Sequence, residues 1–272
     1  MSAPTASIPT RPSLLPALEM LCGLGGSAHD AQALDLMEAA LAAGVDPNGF
    51  YRSGGDITAF SALSVVAERG KDLPEEKYQN LIKAARMLVK AGGSPLNHMD
   101  GVFIPRARRF CSDLLAILAE HENQGHPIRD YRGQSVLHFL VMKDAWALIP
   151  KTPIPQEWVN AQRHPDLQTP LHMAWSAPLS KYNDQHKQKI MDYLAHEDLW
   201  KKTQNLFDRG ARLDMEDHLG ESVLDLIDRR MKEERWEAPT WPQSQVVWHE
   251  VLAQRLSRET NKPSHHRSSP RL

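Results

Sequence analysis

The sequence predicts an all-α fold in which helix-turn-helix units stack side by side and are joined by extended finger loops. Three observations predict it. A short word recurs: GQSVLHFLV at 133–141, LQTPLHMAW at 167–175 and GESVLDLID at 220–228, with a weaker copy, FSALSVVAERG, at 60–70. A second word interleaves with the first, AAGVDPN at 42–48, KAGGSPLN at 90–97, NQGHPIRD at 123–130 and DRGARLDMED at 208–217, each placing glycine after a helix-like run. The spacing is regular, with 21 positions from Ser135 to Gln156 and from Ile104 to Gly125, 31 from Ser61 to Gly92 and 41 from Thr169 to Gly210, as if one unit carried insertions of different length. The underlying period is about 33 residues, and a fixed period of this size marks architectures in which each unit hides its apolar stripe only against its neighbours.

The elements follow in order. MSAPTASIPTRPS opens the chain without an apolar face, so 1–11 are expected to be a flexible leader; the run LLPALEMLCGL after it is broken by Pro16 and carries Glu19, a poor secretory core. Six units are expected, near 12–48, 57–97, 101–129, 133–160, 167–214 and 220–257, within a single repeat domain at 12–257, the first and last atypical as end caps must be. In each unit a hydroxyl residue (Ser61, Ser135, Thr169, Ser222) stands where its side-chain oxygen caps a first helix, worth about 1 kcal/mol. Pro170 then takes the first helical position, where its missing N–H costs nothing. Leu63, Leu137, Leu171 and Leu224 are expected in the core. Second helices are read at 34–44, 81–92, 112–121 and 199–210 from apolar residues recurring at three and four, with Gly44, Gly92, Gly125 and Gly210 as the left-handed residues that end them. Gln156 stands where the fourth unit should have its glycine. Two charged stretches, KDLPEEKYQN at 71–80 and APLSKYNDQHKQKIMDYLAH at 177–196, read as insertions between first and second helices, the latter able to extend a helix. The segment 220–236 continues helically, APTWPQ breaks it, 244–259 form a final amphipathic helix, and 258–272 are expected to be a disordered tail.

The stretch VNAQRHPDLQTPLHMAWS at 159–176 carries Thr169, Pro170, Leu171, His172 and Ala174 in the pattern T-P-L-H-x-A. On these residues, and on Ser135, Leu137 and His138 in the unit before, the chain resembles the ankyrin-repeat family over roughly 12–257. Other copies are degenerate: Asp225 replaces the histidine beside Ser222 and Leu224, and RARRF, read as a first helix in the unit near Ile104, keeps little of the pattern. The resemblance implies an ankyrin-repeat solenoid that binds other proteins through its finger tips and first helices. On that implication the partner-binding residues are Phe50, Tyr51, Arg52, His98, Met99, Arg129, Tyr131, Arg132, Arg163 and His164, types enriched at interface hot spots, with Arg106, Arg108 and Arg109 on a neighbouring first helix. The expected partner is a protein engaged through an acidic segment, although Asp56, Asp100, Asp130, Asp166 and Glu216 dilute the field.

Chemical alternatives have little support in the residues. His138 and His172 occupy the same place in two units without an adjacent nucleophile, so they read as ties from a helix start to the neighbouring finger. HENQGH at 121–126 spaces its histidines five apart, placing them on different faces of a helix, and its glycine belongs to the helix-ending word. GLGG at 23–26 follows a helix-like run rather than a strand, which fails the context of a phosphate loop. No catalytic residue, metal, cofactor or small-molecule substrate is expected. A net charge of −2 argues against nucleic acid, and no stretch reaches the roughly 18 apolar residues of a membrane span. Two cysteines without a CxxC pattern fit a reducing compartment, the cytoplasm, with export to a host cell as the alternative. The expected function is a non-catalytic protein-protein interaction module, an immunity-like or regulatory binder or a bacterial effector; the competing reading is an enzyme or metalloprotein with its site in 177–196 or the C-terminal helix.

Overall fold

The computed structural model is all-α: the described residues hold eleven helices and one 3-10 turn at Pro95–Asn97, and the one extended pairing among them is an isolated antiparallel bridge between Glu216 and Ser222. Those residues are 13–22, 27–49, 58–69, 73–97, 108–142, 154–176, 185–233, 239 and 244–260. The chain divides into two bodies, Met1–Pro155 and Gln156–Leu272. The division falls at Gln156, where the recurring glycine of the sequence is missing.

In the N-terminal body, α1 (Leu15–Cys22) and α3 (Ala59–Arg69) pack on each other and over a row formed by α2 (Ser27–Ala42), α4 (Glu75–Lys90) and α5 (Arg108–Asn123), with α4 in the middle. α6 (Val136–Met142) follows. The row is held by apolar stripes at helical spacing: Tyr78, Leu81, Ala85 and Leu88 on α4, and Phe110, Leu114, Ile117 and Leu118 on α5, are all buried. Each fully buried leucine contributes about 2 kcal/mol through apolar area removed from water.

In the C-terminal body a short turn, α7 (Gln156–Val159), precedes α8 (Pro170–Ser176), which packs against both α9 (Gln185–Phe207) and α10 (Val223–Glu233); α9 packs in turn against α11 (Ser244–Thr260). Its core is aromatic. Trp175, Trp200 and Trp248, from α8, α9 and α11, meet edge to face with ring centroids 5.2 and 5.6 Å apart, a geometry that sets the positive edge of one ring on the negative face of the next. The buried indole N–H groups are both used: Trp175 Nε1 donates to Thr203 Oγ1 at 2.9 Å, and Trp200 Nε1 donates to His196 Nε2 at 2.7 Å. Gln204 on α9 also reaches α11, where its Oε1 accepts the Val247 N–H at 2.9 Å, a first-turn donor with no partner inside its own helix.

The helix ends follow the glycines. Gly44, Gly92, Gly125 and Gly210 have φ of +80°, +89°, +88° and +84°. After α2, Gly44 N–H reaches Leu41 O and Val45 N–H reaches Ala40 O; after α9, Gly210 and Ala211 repeat the pair onto Phe207 O and Leu206 O. These paired bonds satisfy carbonyls that a helix end leaves open.

Several boundaries differ from the sequence reading. The stretch 71–80 is not a loop insertion: Glu75–Asn80 form the opening turns of α4, where Pro74 precedes two first-turn carboxylates that suit the positive helix end. Tyr78 is buried there, its hydroxyl donating to Asp113 Oδ2 at 2.5 Å. Arg108 and Arg109 do not belong to a separate first helix but open α5, because the apolar periodicity of 110–118 continues back through them. Arg109 lies 3.8 Å above the Tyr78 ring and pairs with both oxygens of Glu75. Within the second insertion, residues 185–196 belong to α9, and α11 continues to Thr260, past the expected end of the domain at 257. No helix among the described residues is long and apolar enough to cross a membrane.

Candidate functional site

Four helix starts share one pairing. A hydroxyl residue and the residue three positions later bond to each other: Thr169 Oγ1 to His172 Nδ1 at 2.8 Å, Ser135 Oγ to His138 Nδ1 at 3.0 Å, Ser222 Oγ to Asp225 Oδ2 at 2.5 Å and Thr58 Oγ1 to Ser61 Oγ at 3.0 Å. The last pair corrects the register read from the sequence. Thr58, not Ser61, accepts at the start of α3, taking the Ser61 N–H on its Oγ1 at 3.1 Å. Phe60 and Leu63 are both buried beneath it.

The pairing fixes the histidine tautomers. Thr169 and Ser135 each offer a backbone N–H to the Nδ1 of their histidine, at 3.2 and 3.1 Å, so each Nδ1 is an acceptor and the ring proton sits on Nε2. For His172 that proton points at Glu221 O, 3.2 Å away. Burial also holds His172 below its ordinary pKa, outweighing the opposing bond to Glu221. Neither histidine is placed as a base toward open space: His138 and His172 are both fully buried. Asp225 reproduces only half of the device, accepting Ser222 N–H at 2.9 Å while its backbone N–H returns to Ser222 Oγ at 3.3 Å, a reciprocal capping box.

Before each cap the chain makes a tight turn. In the N-terminal body, Asp130 Oδ1 accepts the N–H groups of Arg132 and Gln134 at 2.9 and 2.7 Å, and Gly133 N–H closes on Asp130 O. In the C-terminal body Asp217 does the same for Leu219 and Glu221 at 2.8 and 3.0 Å, with Gly220 closing on Asp217 O. An aspartate that binds its own backbone two residues on makes the turn rigid at little entropic cost. The two residues between Asp and Gly are pushed outward: Tyr131 is 77% exposed and Leu219 75%. The turn at 163–168 is built differently, with Leu167 at φ 54° in place of a glycine.

Two adjacent turns of the C-terminal body are stitched together. His218 N–H donates to Asp166 O at 3.0 Å, and Gln162 Nε2 donates to Glu216 O at 2.9 Å. Asn160 joins the same body lower down, its amide bridging Gly210 O and Arg212 N at 2.8 and 2.9 Å, just as Asn48 bridges Gly92 O and Ser94 N in the N-terminal body. The stitched pair exposes His164 and Pro165 from one turn and His218 and Leu219 from the next.

The residues expected to bind a partner separate into three groups. Tyr131, Arg132 and His164 are exposed, and the Arg132 guanidinium lies 5.1 Å from the Tyr131 ring. Arg129 and Arg163 are engaged within the fold instead. Arg129 Nη1 is 2.6 Å from buried Glu122 and also bonds Ile128 O, and Arg163 grips both oxygens of Asp166 and reaches Gln168 Oε1. The Arg163 bond and a backbone hydrogen bond hold Asp166 below the usual carboxylate range against the opposing effect of burial. Phe50, Tyr51, Arg52, His98 and Met99 lie outside the described residues. The sequence reading missed Pro165, His218 and Leu219; the legible signal was the shared spacing of D-Y-R-G and D-H-L-G, which puts Leu219 where Tyr131 stands.

The pair His121 and His126 also departs from expectation. α5 stops at Asn123 and the chain turns at Gly125, so the second ring folds back and stacks on the first at 4.7 Å between centroids. Burial, and the proximity of a second imidazole, hold His121 below its ordinary pKa. Among the described residues no group of three or more His, Cys, Asp or Glu side chains is arranged to hold a metal ion. The chain matches no protein-family model and no curated protein.

Proposed function

We propose that the chain is a non-catalytic binding protein of the ankyrin-repeat type, which captures a protein partner on the tips of its rigid turns. The observation that carries this reading is the stitched pair of turns, where His164, Pro165, His218 and Leu219 share one exposed surface while every bond that shapes it lies beneath. Large exposed side chains on a backbone already ordered bind without a further cost of ordering the loop. The recurring hydroxyl-to-third-residue pair, the Nε2 bond from His172 to Glu221 and the asparagine bridges support the repeat assignment, since each ties a helix start or helix end to the segment beside it.

The partner surface shifts accordingly. Tyr131 and Arg132 present one aromatic and cationic tip, and His164, Pro165, His218 and Leu219 another; Arg129 and Arg163 support these turns rather than contact the partner. Capture of the native partner on immobilised full-length chain, repeated with Leu219→Asp and with Tyr131→Ala combined with Arg132→Glu, tests the proposal. Partner recovery is expected to fall at least about tenfold in each variant, as for hot-spot loss. Recovery equal to wild type in both variants would remove the turns from the interface.

A further inference from the structure

A groove of about 870 Å³ opens between the C-terminal ends of α4 and α5, in the N-terminal body and away from the turns at 130–133. Buried Val89 and Ile117 line its floor. Its walls are basic: Arg86 and Lys90 come from α4, and the stacked His121 and His126 from the end of α5 and the segment after it. The carboxylate in the lining, Glu120, is already paired with Arg86 at 2.6 Å, each side chain about half exposed. Lys90 has no ion pair among the described residues and is exposed.

A basic residue at a helix C-terminus is favourable on its own, because it faces the negative end of the helix. That accounts for Lys90 taken singly. It does not account for cationic and imidazole groups drawn from two helices and a following turn around an apolar floor of ligand-site size. Such a lining leaves a positive excess that an anionic occupant complements, and complementary charge sets which partner is accepted. The polar groups stand on both sides of the floor. An occupant that satisfies both sides carries more than one carboxylate, with an apolar group between them.

We propose that this groove docks an acidic peptide segment of a partner protein, with carboxylates on Lys90 and the His121–His126 pair and an apolar side chain over Val89 and Ile117. The inference rests on the reading of the chain as a protein binder but concerns a different surface, so it is testable without the partner that the turns would capture.

The probe is a fluorescein-labelled peptide, Glu-Glu-Leu-Glu-Glu-Leu-Glu-Glu, titrated with the full-length chain and followed by fluorescence anisotropy. The same peptide with every Glu replaced by Gln is the control. The acidic peptide is expected to bind at least about tenfold more tightly than the control, and Lys90→Glu to weaken it by about tenfold or more, as charge reversal at a contact does. His126→Gln, outside any helix, is the second variant and is expected to weaken it about threefold, with an unchanged melting temperature showing that the fold is intact. Equal binding of the two peptides, or an unchanged affinity in both variants, overturns the proposal. Displacement of the peptide by equimolar glutarate overturns it as well, since the groove would then be a small-anion site. Leu219→Asp leaves this titration unchanged if the groove acts alone, so failure of the turns as an interface and failure of the groove give different results.

Discussion

His172 Nε2 lies 3.2 Å from the carbonyl oxygen of Glu221, 49 residues further along the chain, while the other nitrogen of the same ring is held by Thr169. One buried imidazole therefore links a helix cap to the segment that precedes α10. His172→Ala removes both bonds and leaves buried donors and the Glu221 carbonyl without their partner, an expected loss of about 3 kcal/mol. Urea unfolding followed by tryptophan emission measures it. A loss below about 0.5 kcal/mol, the range of ordinary surface changes, would mean that the link carries no stability.

Acid should weaken the C-terminal body through His196. Its Nε2 accepts the Trp200 indole N–H, which only the neutral ring can do, and burial lowers its pKa from 6.5 to about 4. An unfolded imidazole gains its proton as pH falls through 6.5, whereas the folded one does not until about 4. The stabilisation is thus complete above 6.5, is lost progressively between 6.5 and 4, and changes no further below that. It is on the order of 2 kcal/mol. His172, lowered in the same direction, adds to the slope, so the comparison that isolates His196 is the difference in urea midpoint between pH 7 and pH 4.5 for wild type and His196→Gln. The variant is expected to show the smaller difference.

Two neighbouring kinds of glycine should respond differently to alanine. Gly44 has φ +80° and open space around the position of a Cβ, so Gly44→Ala meets only backbone strain, about 1 kcal/mol. At Gly93 a Cβ would stand 2.7 Å from Leu88 O and 3.1 Å from Phe60 Cε2. Neither neighbour yields easily, one being backbone and the other a buried ring, and Gly93→Ala is expected to cost about 3 kcal/mol. Thermal melts give the order; the reverse order would refute the packing described around Gly93.

Arginines and exposed tips should separate stability from binding. Arg163→Ala breaks the pairing with Asp166 and the bond to Gln168, a loss of about 1 kcal/mol in a half-buried turn. Tyr131→Ala and Leu219→Ala touch side chains that are more than three-quarters and three-quarters exposed, and stability should stay within about 0.5 kcal/mol of wild type. Denaturation of the purified variants tests the contrast. A large destabilisation from Leu219→Ala would show it to be a packing residue and not a presented one.

The all-helical class, the helix-ending glycines, the buried Leu63, Leu137, Leu171 and Leu224, and the final helix near 244–259 were legible because each depends on local periodicity or on one backbone conformation. The cap of α3 was not. FSALSVV offers Ser61 directly before a leucine, whereas Thr58 precedes Ala59 and Phe60, and only the bond from Thr58 to Ser61 reveals which residue begins the helix. Charge misled at 71–80, where carboxylates that suggest a solvated loop serve a helix start and Tyr78 turns inward between α4 and α5. Arg129 and Arg163 looked like contact residues because the sequence does not show Glu122 folding back on one or Asp166 curling under the other.

The indole train of Trp175, Trp200 and Trp248 makes the C-terminal body its own optical reporter. Of the seven tryptophans only Trp146 precedes the boundary at Gln156, so emission and near-ultraviolet dichroism speak almost wholly for the second body, whereas far-ultraviolet dichroism counts the helices of both. If the halves melt as one cooperative unit the two signals trace the same curve; if they melt separately the curves part, and the gap between them measures how much stability each half owns.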